Sequence, residues 1–295
     1  MLSSKAYTLV KFSELLSFSK VAKELHMTQP CVTYQIKDLE REYDIKIYQK
    51  DANKLSLTKE GELLVKYAKR MISLDNSART GITNLYNNIT SITVGITPTA
   101  EETFVPQVFA KYSLLNPDIH IKIISDTINK IYEKLKVYEV DIALVEGRVN
   151  DNNFKNLLLD TDFLCFACSP SNPISKKQTV TIDELKTQNL ILRLPTSGTR
   201  RLFESSLLAH NKNINEFNVV MEIDNITTIK ELVQNNYGVT IIANSSCIEE
   251  VEKGKLILLP IENLSMVREI NLIYHNDFTN IRLLQDIQKI YRKTK

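Results

Sequence analysis

Gln29, Thr33 and Lys37 stand four residues apart, with Tyr34 and Thr28 beside them. That spacing places side chains on one face of a helix. An amide, hydroxyls, a phenol and an ammonium gathered there suit hydrogen bonds to base edges and phosphates. Two other groups offer hydroxyls and backbone N–H groups suited to holding a small anion: Thr97-Pro98-Thr99-Ala100 and Pro195-Thr196-Ser197-Gly198-Thr199-Arg200-Arg201. In the second, Gly198 lets the backbone approach a ligand. Arg200 either binds the anion or ties its helix to its surroundings, and an ordinary helix cap is the plainer alternative. Asn225-Ile226-Thr227 opens a further helical pattern and can donate from the same side, while Glu146-Gly147 ends a strand and suits a gate or a hinge.

Covalent and metal chemistry find little support. Cys165 and Cys168 form one CxxC inside the apolar run Phe163-Leu164-Cys165-Phe166-Ala167-Cys168. On a strand, residues three apart point to opposite faces, so buried packing is the expected role. His26, His120, His210 and His275 are scattered, and no metal site and no cofactor are expected. No nucleophile–base set, Walker loop, His-Glu-x-x-His or dinucleotide-binding glycine pattern occurs. Asp141 is expected to hold a turn rather than to act as a base.

The 295 residues correspond to about two domains at ~150 residues each. With 43% hydrophobic residues, disorder is excluded. No run approaches the length of a membrane span, and the N-terminal segment lacks the pattern of a signal peptide, so a cytoplasmic protein with no membrane partner is expected. The net charge is only +2, but residues 1–70 hold thirteen basic and nine acidic side chains. That part is the better seat for an anionic partner.

The elements follow from periodicity. Tyr7, Leu9, Val10, Phe12, Leu15 and Leu16 recur at helical spacing. Ser19 is expected to cap a second helix. Thr28 caps a third, with Pro30 in its first turn, where a missing N–H costs nothing. The alternating stretches 45–50 and 55–57 around a polar turn suggest a two-stranded wing with Lys50 and Lys54 near its tip. Residues 59–88 form one long helical pattern. Its stripe Leu64, Tyr67, Met71, Leu74, Ala78, Ile82 and Leu85 needs a partner, either a second copy or its own domain. Beyond Ile92, strand cores at 119–124, 141–145, 157–168, 190–192, 217–223, 239–242 and 269–274 alternate with helical patterns at 102–115, 127–137, 199–209, 225–235 and 278–292. This predicts a largely parallel α/β domain. A break at Ser169-Pro170-Ser171-Asn172-Pro173 suggests two lobes around a cleft.

The stretch from Phe18 to Glu40 closely resembles the helix-turn-helix of LysR-type bacterial transcriptional regulators, and Leu57-Thr58-Lys59-Glu60-Gly61 resembles the family's lead into its linker helix. The resemblance implies an N-terminal all-α winged helix-turn-helix (1–58), a long linker and dimerisation helix (59–89) and a C-terminal α/β two-lobed periplasmic-binding-protein-like effector domain (90–295). Lobe I would span about 90–163 and 268–295, and lobe II about 164–267. It implies promoter DNA as partner, contacted through Thr28, Gln29, Pro30, Thr33, Tyr34, Lys37, Lys50 and Lys54. It implies a homodimer assembling to a homotetramer, with RNA polymerase a candidate further partner. The effector would touch Thr97, Thr99, Ala100, Glu146, Ser197, Gly198, Thr199, Arg200, Asn225 and Thr227. The Ser-Gly-Thr-Arg loop is similar to that of members tied to sulfur or carbon assimilation, which implies a small oxyanion or carboxylate.

Four positions depart from the family pattern. Asp44 and Tyr138 replace frequent glycines, and Tyr48 and Lys50 replace the common Phe and Arg of the wing. Lys50 keeps the charge but loses the bidentate fork, so it suits a phosphate better than a base. A solute-binding module without a DNA role is disfavoured by residues 28–39. An α/β enzyme is disfavoured because no catalytic constellation accompanies the cleft.

Overall fold

The computed structural model describes residues 4–51, 54–87 and 90–294, with the side chains of 51 and 84–87 outside the description. The chain divides into two compact units, residues 1–91 with 136–139, and 92–135 with 140–295. No helix among the described residues is long and apolar enough to cross a membrane.

The first unit begins with α1 (Ser4–Leu15), α2 (Phe18–Glu24) and α3 (Gln29–Tyr43). The cap of α2 is Ser17, whose hydroxyl accepts from the Lys20 N–H. Ser19, expected in that role, already lies in the first turn. Two Ser residues in Ser17-Phe18-Ser19 fit a cap by type, and the extended backbone at Ser17 selects between them. Thr28 caps α3 by accepting from the Cys31 N–H, with Pro30 in the first turn. The turn between the two helices places His26 at φ 52°. α3 ends on Asp44 in the left-handed region at φ 50°, the conformation glycine adopts at least cost. A wing follows, with β1 (Tyr48–Asp51) antiparallel to β2 (Lys54–Leu57). Ala52 and Asn53 of the expected turn lie outside the described residues.

Helix α4 (Lys59–Asn87) starts behind Thr58, whose Oγ1 accepts from the Gly61 N–H. A Cβ at Gly61 would lie 2.1 Å from the Ile47 carbonyl oxygen, so glycine is what allows the helix to approach the strand. Leu64, Val65 and Ala68 then join Leu9, Phe12, Val21, Val32, Ile36 and Ile47 in one core. This corrects part of the predicted stripe. Leu64 is buried in its own domain, whereas Tyr67, Met71, Leu74 and Ile82 are each more than 40% exposed. The side chain of Leu85 lies outside those described.

The second unit runs β3 (Thr90–Ile96), α5 (Pro98–Glu101), α6 (Val105–Leu115), β4 (Ile119–Ser125), α7 (Ile128–Lys136), β5 (Ile142–Glu146), β6 (Phe154–Cys168), α8 (Ile182–Lys186), β7 (Leu190–Arg193), α9 (Gly198–Ala209), β8 (Val219–Ile223), α10 (Ile226–Gln234), β9 (Thr240–Ala243), α11 (Ile248–Glu252), β10 (Ile257–Leu259), β11 (Val267–His275) and α12 (Ile281–Thr294). The helix expected at 102–115 begins only at Val105, behind the separate short α5. Pro106 sits in the first turn of α6 and has no N–H with which to continue a helix from α5.

The sheet is mixed rather than largely parallel. Among the described residues its order is β10-β6-β11-β5-β3-β4, with β9 also on β6. β3 and β5 run parallel, but β11 is antiparallel to both β5 and β6. The physical reason is the route of the chain. β6 leaves the first lobe and β11 returns to it, so the two cross side by side in opposite directions. Residues 154–163 of β6 pair with β11, and residues 164–168 pair with β9 and β10. One continuous strand therefore belongs to two cores. One holds Ile96, Phe109, Leu144 and Leu272, and the other holds Phe166, Leu190, Phe203 and Ile241.

Cys165 and Cys168 do face opposite sides of β6. Cys168 shares a core with Leu164 and Phe166, while Cys165 and Cys247 are buried elsewhere. Burial pushes the Cys168 thiol up to about 11 and the Cys247 thiol up to about 12. No group of potential metal ligands is present among the described residues.

Candidate DNA interface and effector cleft

Thr28, Gln29, Pro30, Tyr34 and Lys37 lie exposed along α3, and Thr33 is half-buried. The opposite face, Val32, Ile36 and Leu39, packs into the core. Amphipathic spacing alone turns the polar set outward. Thr33 donates to the Gln29 carbonyl at 2.9 Å, which fixes its rotamer in the first turn. Tyr34 is 61% exposed, and the Arg41 guanidinium lies over its ring at 5.8 Å. Arg41 extends the exposed basic face by one turn beyond Lys37. Sequence reasoning omitted it, although its spacing of four from Lys37 carried the signal. Lys50 and Lys54 are exposed on the wing strands.

In the second unit the two hydroxyl-bearing segments are helix starts rather than loops. Thr97 caps α5, accepting from the Ala100 N–H at 3.1 Å, and Pro98, Thr99 and Ala100 form its first turn. Ser197 caps α9, accepting from the Arg200 N–H at 3.1 Å. Thr97, Thr99, Ser197 and Thr199 are all buried.

A chain of polar contacts joins the two segments. The Thr97 hydroxyl lies 2.8 Å from both carboxylate oxygens of Glu146, at the end of β5. Glu146 stands 3.9 Å from the Arg268 Nη2. The Arg268 Nη1 donates to the Thr199 hydroxyl at 3.4 Å. Arg268 is also paired with Asp162 at 3.0 Å, and Asp162 accepts from the Ser245 hydroxyl at 2.9 Å. Arg268 on β11 and Asp162 on β6 were missed in the sequence. They are 106 positions apart and meet only because the crossing strands are adjacent.

A second link spans the lobes. Thr227 donates to Glu102 at 2.8 Å, and the buried Lys230 ammonium pairs with Glu102 at 3.2 Å and Glu250 at 2.8 Å. Burial lowers the Lys230 pKa, but hydrogen bonds to the two carboxylates outweigh it and the net shift is upward. Asn225 caps α10 by accepting from the Thr228 N–H at 2.8 Å.

Not every expected residue converges. The Arg200 guanidinium pairs through Nε with Glu204 and through Nη2 with Glu222 of β8, which ties α9 to that strand, while its Nη1 is buried with no hydrogen-bond partner among the described residues. The two ion pairs match the second of the two readings, in which Arg200 ties its helix to its surroundings. Gly198 packs near Ile128, where a Cβ would be in ordinary contact at 3.5 Å, so close backbone approach there does not demand glycine.

A winged helix-turn-helix, a long helix with an exposed apolar stripe and a two-lobed α/β domain with a polar cleft define a DNA-binding regulator with a small-molecule domain. The chain belongs to the LysR family: residues 4–62 match the bacterial regulatory helix-turn-helix protein, lysR family, and residues 88–293 match the LysR substrate binding domain. It is 25% identical to a probable RuBisCO transcriptional regulator of Phaeodactylum tricornutum, over 95% of this chain and 92% of that one. The fold is similar to that of full-length CbnR complexed with its target DNA, at 15% identity, a TM-score of 0.67 and full coverage of both chains. It is also similar to the regulatory domain of CcmR from Synechocystis in complex with 2-PG, at 16% identity and a TM-score of 0.61. That match covers 70% of this chain and 97% of the other. The protein is a LysR-type transcriptional regulator with a DNA-binding helix-turn-helix and an effector-binding domain, and its relatives are named regulators rather than enzymes.

Proposed function

We propose that this regulator binds an interrupted palindrome as a homodimer and responds to a small oxyanion or carboxylate held between its two lobes. Gln29, Thr33 and Tyr34 read base edges. Thr28 and Pro30 set the start of the recognition helix, and Lys37, Lys50 and Lys54 contact phosphates. The domain boundaries follow the functional parts: residues 1–58 bind DNA, 59–89 link and dimerise, and 90–295 take the effector. Support for the dimer comes from an open groove of about 560 Å3 between α1 and α4, lined in part by Leu9, Leu64, Ala68, Met71, Leu74 and Ala78. Assembly into a tetramer and contact with RNA polymerase extend the same reading by family membership.

One observation carries the effector assignment: Thr97, Glu146, Arg268 and Thr199 form a continuous polar path between the two helix starts. An anion seated on it gains hydroxyl donors from Thr99, Ser197 and Thr199. It must bind the two states of the regulator unequally, or it shifts nothing.

The test is calorimetry on the full chain with sulfate, phosphate, 2-PG and short carboxylates. Thr99→Ala and Ser197→Ala are expected each to weaken the tightest of these about tenfold, while effector-free DNA binding stays near normal. Parent-like affinity in both variants would place the site elsewhere.

A further inference from the structure

Arg193 ends β7, where the parallel pair β7 and β8 brings its carboxyl ends together. Ligands of parallel α/β sheets sit beyond such strand ends. Alternation along the strand assigns the side chain to a face. Leu190 and Leu192 pack with Phe203 and Leu207 of α9, whereas Ile191 packs with Ile226 and Ile229 of α10. Arg193 therefore lies on the α10 side. Its Nη2 meets Asp224, the residue before the α10 cap Asn225, at 3.1 Å.

This guanidinium is short of acceptors. Its side chain is only 6% exposed, yet its Nε is buried with no hydrogen-bond partner among the described residues. A buried polar group left unpaired is costly. The counter-charge is one oxygen of Asp224, a side chain 71% exposed and therefore screened by water. The neighbouring helix start has the same need. A helix N-terminus carries partial positive charge, which disfavours a cation and favours an anion. α10 has nine residues, and Asn225 accepts from the Thr228 N–H. The N–H groups of Ile226 and Thr227, like the first of any helix, have no partner within it. Glu102 accepts from the Thr227 hydroxyl and pairs with Lys230, so its charge is already matched.

We propose that Arg193 and the start of α10 form the charge-bearing subsite for the effector's oxyanion, and that Asp224 holds the place of that oxyanion until the effector arrives. Nε and Nη2 are the side-on fork of a guanidinium, which suits two oxygens of one anion. Asp224 uses one prong and leaves the other unmet. An incoming oxyanion takes both, and Asp224 turns into solvent. The proposal rests on the reading of an anion between the lobes and adds the cation that matches the anion's charge.

The test is calorimetry on the full chain with inorganic phosphate, sulfate and acetate. Asp224→Ala, at an exposed position, is expected to tighten the best-bound of these about three- to tenfold, because no carboxylate has to leave. Arg193→Gln is expected to weaken it about tenfold or more, and Arg193→Lys nearly as much, since an ammonium keeps the charge without the fork. In the Arg193→Gln background, Asp224→Ala should gain nothing. Parent-like affinity in Asp224→Ala would overturn the proposal, and so would no binding of any of the three anions. A gain that persists without Arg193 would also overturn it, by reducing the effect to the general field of the removed charge. The hydroxyl donors of the cleft stand or fall separately. Parent-like affinity in Thr99→Ala and Ser197→Ala, with tightening in Asp224→Ala, would remove those hydroxyls from the site and keep Arg193 in it.

Discussion

Arg268 compensates two buried carboxylates, Glu146 and Asp162, and touches Thr199 across the cleft. Removing it leaves both charges uncompensated in a desolvated site, a loss on the order of 3–5 kcal/mol. Arg268→Ala is therefore expected to shift the urea midpoint sharply downward. Adding Asp162→Asn should restore part of the loss, a coupling that denaturation of the double variant measures. Asp141 shows the opposite electrostatic state. It accepts from the Thr93 N–H at 2.7 Å, but burial raises its pKa above the ordinary carboxylate value. The folded state thus favours the protonated form. The stability this contributes is full below the unfolded pKa and is lost as pH rises through the raised native value. Asp141→Asn keeps the acceptor without the charge. Its melting temperature relative to the parent is expected to climb as pH rises from the ordinary carboxylate value through the raised native one, and a flat difference would contradict that account.

Helix α3 shows how one element divides its labour. Val32, Ile36 and Leu39 anchor it, which leaves Gln29, Tyr34 and Lys37 free of packing duties. Gln29→Ala is expected to lose about 1–3 kcal/mol of discrimination at one or two base pairs in a competition assay. Lys54→Ala on the wing should weaken all sequences alike and lower the salt slope by roughly 1. Helix α4 divides its labour along its length. Its first turns complete the core around Gly61, and its later stripe of Tyr67, Met71, Leu74 and Ile82 stays exposed. The helical period in the sequence reported one continuous stripe because periodicity records which side chains share a face. It does not record which neighbour covers them.

For the whole molecule, that exposed stripe makes a prediction about assembly. Met71→Lys and Leu74→Lys together would place unpaired charge in an apolar seam, costing several kcal/mol. Sedimentation is expected to show a smaller species with reduced DNA affinity. An oligomer that persists in the double variant would move the interface to another surface. Neither substitution touches the cleft, so effector affinity should survive.

Local chemistry was legible without coordinates. The cap at Thr28, the outward face of α3 and the burial of Cys165 and Cys168 each depend on residues within a few positions of one another. The directions of the strands and the pairing of Arg200 with Glu222 were not read from it. Nor were the pairs between residues distant in sequence: Arg268 with Asp162, Thr97 with Glu146, and Glu102 with Thr227 and Lys230. Their members stand 49 to 128 positions apart, and no pattern in the chain couples them. Periodicity and capping act over one helical turn or one strand repeat, so the sequence by itself determined the elements and their exposed faces. Ion pairing acts through space, and only the crossing of β6 and β11 decided which charges meet.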